Sequence, residues 1–256
     1  MTQAFTSSGA HERYHLLDTL RGIAVLEMVL YHALWDAVTM LALPIPGFRD
    51  GWGEWWQASI GILFILLSGF CAPLDRHPVR RGLTVLLCAL LVSLATLLAA
   101  PRMVITFGVL CFLGSAKLLS ALLDKPLRRL PAFSLFAVLL LLFVFTFTVD
   151  EGYLSLFGFW SVPLPQALYQ NYLTAYFGFP HSAFHSGDYY PLLPWIFLFF
   201  AGYFLYRILE GRGLLSRLSC GRIRWLGWVG RQALPIYMAH QVLLYAIFTI
   251  IGALSA

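Results

Sequence analysis

Ionisable side chains interrupt the first long apolar stretch of the chain, residues 18–36. A charged group at membrane depth is costly, so each one needs a structural or functional reason. Because a helix turns once every 3.6 residues, an acid, a guanidinium, a histidine and a second acid fall on one face of this stretch. Glu27 lies about 140° around the helix from His32 and needs a separate partner. The shared stripe consists of Asp18, Arg21, Val25, Met28, His32 and Asp36.

The chemistry that this stripe suggests is proton transfer at His32. A buried imidazole can act as a general base close to neutral pH. Asp36, one helical turn further on, is expected to orient the ring or to stabilise its cation, which makes His32 and Asp36 the candidate catalytic residues. The alternative is a histidine that is hydrogen-bonded between helices for packing. The acids and the arginine on the same stripe favour function.

Arg21 and Gly22 open this stretch at its predicted cytoplasmic end. An arginine at this place can bind a phosphate or a carboxylate through two parallel hydrogen bonds, which suits an anionic substrate from the cytosol. The alternative is an arginine that extends to the membrane surface as a topological anchor. Asp18 is expected to cap the helix or to pair with Arg21.

The last apolar stretch carries a second histidine, His240. Tyr237 and Gln241 share its helical face, so a polar cavity between the first and last spans is predicted, with packing as the alternative. Pro235 is expected to bend or break this helix and to free a backbone carbonyl, which polar neighbours can compensate.

Two further ionisable residues need partners. Asp188 precedes the sixth span at its predicted outer end, where the aromatic residues that follow, including Trp195, suit the membrane interface. Lys117 is predicted to lie within a span and to form a structural ion pair, for which Glu27 is one candidate.

Composition identifies the setting of these groups as a membrane. The chain is 60% hydrophobic and 11% charged, whereas soluble domains are roughly 25% charged. We predict an all-α integral membrane protein, with a tail at 1–15 and a single transmembrane domain at 16–253. An outer loop at 150–189 is predicted to contain a short interfacial helix near 165–177. The seven predicted spans are 16–42, 56–74, 82–100, 104–123, 131–149, 190–209 and 229–253.

Positive charges predict the orientation. With the N-terminus in the cytoplasm, 14 of the 17 Lys and Arg residues lie on the inner side, as the positive-inside rule requires. Seven spans then place the C-terminus outside. The inner basic residues are Arg13, Arg21, Arg76, Arg80, Arg81, Lys125, Arg128, Arg129, Arg207, Arg212, Arg217, Arg222, Arg224 and Arg231.

Several functional classes find no support in the sequence. No Lys/Arg cluster alternates with stacking aromatic residues, so no nucleic-acid partner is expected. P-loop, G-x-S-x-G, H-E-x-x-H and dinucleotide motifs are absent. The four cysteines have no metal-type spacing, and no metal cofactor is predicted.

Four blocks of this chain resemble bacterial membrane proteins related to the catalytic domain of heparan-alpha-glucosaminide N-acetyltransferase. The likeness runs in the family's order from Arg13 to about Leu244. More distantly, this chain also resembles the wider membrane acyltransferase superfamily. At Cys111 this chain departs from the family, which often has a histidine there. The blocks are L-D-T-L-R-G-I-A-V-L-E-M-V-L-Y-H-A-L-W-D, F-G-V-L-C-F-L-G, F-G-F-P-H-S-A-F-H-S-G-D-Y-Y-P-L-L-P-W and L-G-W-V-G-R-Q-A-L-P-I-Y-M-A-H-Q.

The resemblance implies transfer of an acetyl group from cytosolic acetyl-CoA to a sugar amine or hydroxyl beyond the membrane. It implies that His32 is the general base or a transient acetyl carrier, and that Asp36 orients it. The residues then expected to bind the donor are Arg21, Asp18 and Arg231. The residues expected to line the substrate cavity are His240, Tyr237, Gln241, Asp188 and Trp195.

The implied setting is a bacterial inner membrane, with an envelope glycan or a lipid-linked sugar as acceptor. Membrane lipids are the other expected partners, and assembly of several identical copies is left open. Two alternatives remain at this point: a proton-coupled transporter that uses His32, Asp36 and His240 as a relay, and a structural subunit whose polar groups only fix helix packing.

Overall fold

The computed structural model describes residues 14–99, 101, 104–156, 158–220 and 223–255. Within these ranges the chain forms nine α-helices and one antiparallel hairpin of two strands. The helices are α1 (His15–Met40), α2 (Trp52–Phe70), α3 (Pro78–Ala99), α4 (Val109–Leu127), α5 (Ala132–Phe145), α6 (Tyr172–Phe177), α7 (Leu192–Gly211), α8 (Arg224–Arg231) and α9 (Ala233–Ser255), and the strands are β1 (Tyr153–Leu156) and β2 (Trp160–Pro163).

The predicted class, an all-α membrane protein, is confirmed. Six helical segments of the described chain are long and apolar enough to cross a membrane. The fourth predicted span, 104–123, overlaps α4. This helix contains three charged residues, Lys117, Asp124 and Lys125, and it is not among the six apolar segments. A total of seven spans and the sides on which the termini lie therefore stay predictions. The six segments are His15–Met40, Trp52–Leu74, Pro78–Ala99, Ala132–Glu151, Leu192–Gly211 and Ala233–Leu254.

The last predicted span, 229–253, is divided in the structure. α8 ends at Arg231, and α9 begins at Ala233 after a break at Gln232. Pro235 therefore lies in the first turn of α9, where its missing N–H costs little, and not at a kink within a helix. α8 packs along α1, because glycines allow the two backbones to approach closely. A side chain at Gly230 would collide with the Asp18 carbonyl.

The long connection after α5 contains more structure than predicted. The short helix expected near 165–177 is present as α6, which Asn171 caps by accepting a hydrogen bond from the Thr174 N–H at 3.0 Å. Gly178 ends α6 with a φ of +115°, a conformation that favours glycine. The hairpin of β1 and β2 was not expected. The predicted tail at 1–15 lies almost wholly outside the described residues.

Buried aromatic side chains and close helix crossings form the core. α7 contributes Phe199, Tyr203 and Phe204, all at most 1% exposed. It crosses α2 through facing glycines, because Gly69 abuts the Phe199 carbonyl and Gly202 abuts the Leu66 carbonyl. Small residues at such crossings allow the van der Waals packing that holds membrane helices together.

The Gly202 crossing predicts a stability effect. Gly202→Ala would place a methyl group against the Leu66 carbonyl, and such overpacking costs about 1–3 kcal/mol. The melting temperature of the purified protein should therefore fall by several degrees, at about 2–4 °C per kcal/mol of lost stability. Gly211→Ala, on the same helix with nothing within 4 Å of the added atom, is the matched control. Equal melting temperatures for the two variants would contradict the prediction.

Candidate active site

The polar stripe of α1 faces the interior of the protein. Asp18, Val25 and Asp36 are buried, while Met28 and His32 border a cavity of about 60 Å³. This orientation follows from the neighbours of α1, which are α2, α8 and α9. We call this space the His32 cavity, and its polar lining consists of Tyr31, His32, Gln57, Asp188, Tyr190 and Tyr237.

His32 and His240 form a pair between α1 and α9. Their ring centroids are 4.9 Å apart, with the rings nearly perpendicular. His32 Nδ1 lies 2.8 Å from the Met28 carbonyl oxygen, and His240 Nδ1 lies 2.6 Å from the Tyr237 carbonyl oxygen. Because a carbonyl only accepts hydrogen bonds, each Nδ1 carries a proton, and each Nε2 of the neutral rings is left as a base. His240 Nε2 is buried without a hydrogen-bond partner among the described residues.

Asp188 is held against the His32 cavity by two donors. Its Oδ2 accepts from the Val109 N–H at 3.0 Å and from the Tyr237 hydroxyl at 3.1 Å. The Val109 N–H lies in the first turn of α4 and has no acceptor within its own helix, so the carboxylate supplies one. A carboxylate at this end of a helix also interacts favourably with the helix dipole. Asp188 lies in the connection before α7, and burial raises the pKa of its carboxyl above its ordinary value.

The connection that carries Asp188 is fixed by backbone contacts to the segment before α4. The Tyr190 N–H donates to the Phe107 carbonyl at 2.9 Å, and the Gly187 N–H donates to the Val104 carbonyl at 3.1 Å. A side chain at Gly108 would come within 2.8 Å of Asp188 Oδ2, so this glycine permits the close approach. Two segments about eighty residues apart thus position one carboxylate.

Asp36 has a different partner from the one expected. Both of its oxygens lie 3.2 Å from Gln241 Nε2, which donates from α9. No hydrogen bond joins Asp36 to His32 among the described residues, because the Nδ1 of His32 is engaged by its own helix. Asp36 and Asp188 are nevertheless both close enough to interact electrostatically with a charged His32.

A second, basic cavity of about 220 Å³ adjoins the His32 cavity. The two share Phe64, Ala233 and Tyr237 as lining residues. We call it the basic cavity, and its polar lining consists of Arg21, Ser68, Cys71, Asp75, Arg81 and Lys117.

The ion pairs of the basic cavity correct one prediction. Lys117 Nζ lies 3.9 Å from Asp75 Oδ2, so the partner of this lysine is Asp75 and not Glu27. Arg81 Nη1 lies 3.2 Å from the other oxygen of Asp75. Arg21 is 3.5 Å from Asp18, as expected from their spacing. Asp75 follows α2 in a short turn, and only the fold brings it to a lysine in the middle of α4.

Six predicted site residues are absent from the described lining of both cavities, namely Asp18, Asp36, Trp195, Arg231, His240 and Gln241. Trp195 is buried in the aromatic core, with its ring centroid 4.8 Å from that of Tyr190 and 5.5 Å from that of Phe143. Arg231 is exposed in the last turn of α8, and it is absent from the described lining of either cavity. Tyr190, and not Trp195, is therefore the aromatic residue of this segment that lines the His32 cavity.

Sequence reasoning did not assign Tyr31, Gln57, Tyr190 and Asp75 to the site. Tyr31 donates a hydrogen bond to Gln57 Oε1 at 3.1 Å across the α1–α2 contact. Gln57 follows the run G-W-G-E-W-W, which is typical of membrane-interface anchoring and concealed a polar residue on the inner face of α2. Tyr190 is one of the aromatic residues after Asp188, whose type suits the membrane interface and so does not indicate a cavity.

Comparison with known proteins identifies the family. The chain matches the model of the catalytic domain of heparan-alpha-glucosaminide N-acetyltransferase over residues 13–242. Neither the curated proteins nor the solved structures yielded a significant match. The family match includes every residue that lines the His32 cavity and the basic cavity. This chain, a multi-pass membrane protein, therefore belongs to the heparan-alpha-glucosaminide N-acetyltransferase catalytic family.

Proposed function

We propose that this protein transfers an acetyl group from cytosolic acetyl-CoA to a sugar amine or hydroxyl of an envelope or lipid-linked glycan at a bacterial inner membrane. The observation that carries the proposal is the contact between the two cavities. One contains His32, whose Nε2 makes no hydrogen bond within the described ranges, the other is basic, and both reach Tyr237. A donor held by its phosphates and an acceptor beside a base could meet there.

The basic cavity is the proposed entry for the donor. Arg21 offers guanidinium donors to the phosphates of acetyl-CoA, and Asp18 holds this guanidinium at 3.5 Å. Arg231 lies outside the lining, so its proposed contribution is electrostatic attraction at the cytoplasmic face.

His32 is the proposed general base. Its Nε2 takes the proton of the acceptor amine or hydroxyl while the nitrogen or oxygen attacks the thioester carbonyl. The new bond to the acetyl carbon replaces the carbon–sulfur bond, and the proton then passes from His32 to the departing CoA thiolate. If His32 instead carries the acetyl group transiently, the same Nε2 is the nucleophile.

Carboxylates and neighbouring polar groups support the charged state of His32 in this proposal. Asp36 and Asp188 are both close enough to His32 to stabilise its cation, and Gln241 holds Asp36 in place. Tyr237 completes the polar wall on α9, and His240 packs against the His32 ring at 4.9 Å between centroids. Trp195 supports this wall from behind Tyr190.

Donor binding is the direct test of this function. We expect acetyl-CoA and CoA to bind the purified protein in a calorimetric titration, and Arg21→Ala to weaken both by about tenfold or more through lost charged hydrogen bonds. Arg80→Ala, on the same predicted face but outside the basic cavity, is the control and should bind normally. Absence of acetyl-CoA binding to the wild type, together with substrate flux in proteoliposomes, would favour a transporter.

A further inference from the structure

An open groove of about 690 Å³ lies on the surface of the helix bundle, where α3 begins. We call it the α3 groove. Its lining includes two arginines, a histidine and three apolar side chains, namely Arg76, Arg80, His77, Val79, Leu83 and Leu87. None of these six residues lines the His32 cavity or the basic cavity. A ligand in the α3 groove would therefore be separate from the proposed donor and acceptor.

The arginines of the α3 groove have no carboxylate partner. Arg76 and Arg80 are exposed, and neither forms an ion pair in the part of the chain that the structure describes. Asp75 precedes Arg76 but is engaged elsewhere, because it pairs with Arg81 at 3.2 Å and accepts a hydrogen bond from the His77 N–H at 3.0 Å. Like charges that share a groove repel each other, so an anion held between these two arginines stabilises both.

An apolar stripe continues the groove along α3. Val79, Leu83 and Leu87 follow one another at intervals of four residues, so they share one helical face. They are 52%, 55% and 58% exposed, and Leu91 extends the same stripe at 50%. From Val79 to Leu91 the helix rises about 18 Å, which is close to one leaflet of a hydrocarbon core about 30 Å thick.

The membrane setting determines what can cover this face. Among the described elements, α3 packs mainly against α4, and only 11% of its apolar span is buried within the protein. A soluble anion would compensate the arginines but leave the stripe uncovered. A second copy of this chain, packed on the same face, would bring two sets of unpaired arginines together, which is unfavourable. A phospholipid supplies both an anionic headgroup and an acyl chain.

We propose that the α3 groove binds an anionic phospholipid of the inner leaflet. The phosphate accepts hydrogen bonds from the guanidinium groups of Arg76 and Arg80, and an acyl chain lies along Val79, Leu83 and Leu87. A guanidinium offers parallel donors that suit a phosphate, and basic residues next to a span attract anionic lipids. This lipid site is distinct from the proposed acetyl transfer and does not depend on it.

Native mass spectrometry of the full chain, titrated in detergent with phosphatidylglycerol and separately with phosphatidylcholine, tests the site. The wild type should retain phosphatidylglycerol about tenfold more tightly, since the choline group carries a positive charge that the arginines repel. Arg76→Gln/Arg80→Gln should abolish this preference. Leu83→Ala/Leu87→Ala should weaken the binding of both lipids, because apolar contact with the acyl chain is lost.

A matched control separates the groove from general surface charge. Lys125→Gln/Arg129→Gln removes two positive charges from the same predicted side, at exposed positions outside the α3 groove, and should keep the preference for phosphatidylglycerol. Arg76→Lys/Arg80→Lys keeps the charges but lacks the paired guanidinium donors, so an intermediate preference is expected. Melting temperatures in phosphatidylcholine should be equal for all these charge variants, because the altered side chains are exposed.

Three results would overturn the proposal. The first is a preference for phosphatidylglycerol that survives in Arg76→Gln/Arg80→Gln, or that is lost equally in Lys125→Gln/Arg129→Gln. The second is displacement of phosphatidylglycerol by an equal concentration of glycerol 3-phosphate, which would indicate a site for soluble phosphate. The third is a shift from dimer to monomer in Arg76→Gln/Arg80→Gln with lipid binding unchanged, which would identify the groove as a contact between copies of this chain.

Discussion

His32→Ala is expected to lower the rate of acetyl transfer by about 10²–10⁴-fold, the usual contribution of a general base. His32 lines the cavity, and because its Nδ1 contacts the Met28 carbonyl, its Nε2 is the nitrogen left to act as a base. The rate is measured as transfer of labelled acetyl from acetyl-CoA to an amino sugar or a sugar hydroxyl by the purified protein.

The fold and the donor site should survive this substitution. The hydrogen bond of His32 is made within its own helix, so thermal unfolding and acetyl-CoA affinity should remain close to those of the wild type. His77→Ala, an exposed histidine before α3, should transfer acetyl normally. Full activity of the His32 variant would refute the mechanism. Trapping of an acetylated His32 in the absence of acceptor would decide between a covalent carrier and a base.

The second large effect is expected at Asp188. Asp188→Asn should reduce kcat by about 10²-fold, since a negative charge near His32 is lost. Asparagine keeps one oxygen that can accept from the Val109 N–H and the Tyr237 hydroxyl, so the charge is the main property that changes. Steady-state kinetics with acetyl-CoA and a saturating acceptor measure the change in kcat separately from that in KM.

Tyr237→Phe separates positioning from charge at this point. It removes one of the two donors to Asp188 but keeps the ring that both cavities share. A loss in kcat clearly smaller than that of Asp188→Asn is therefore expected. If Tyr237→Phe were silent and Asp188→Asn lowered only the melting temperature, Asp188 would be a helix cap without a role in transfer.

The spans were predictable because lipid imposes a local rule. About twenty apolar residues are needed to cross the bilayer, and this requirement is visible in any window of the sequence. The division of the last span into α8 and α9 was not predictable, because it depends on packing between distant segments. Gly22 meets the Leu226 carbonyl, and Gly230 meets the Asp18 carbonyl. A glycine in the sequence does not reveal which backbone will approach it.

The site was predictable in its membership more than in its contacts. Helical spacing placed Asp36 one turn from His32, yet its hydrogen-bond partner is Gln241, 205 residues later in the chain. Trp195 has a residue type and a sequence position that suit a site residue, but Tyr190 is the one that lines the His32 cavity. Aromatic side chains serve both as core and as lining, so only their packing distinguishes the two roles.

By itself the sequence determined that a polar stripe crosses the first apolar helix and that most positive charge lies at one set of helix ends. Both properties follow from the 3.6-residue period and from the cost of charge in lipid, which are local in the chain. Only the tertiary structure decided that His32 meets His240, that Asp188 caps α4, and that Asp75 compensates Lys117. These contacts join helices and loops far apart in sequence, and their register is set by glycine crossings and side-chain packing that no single segment encodes.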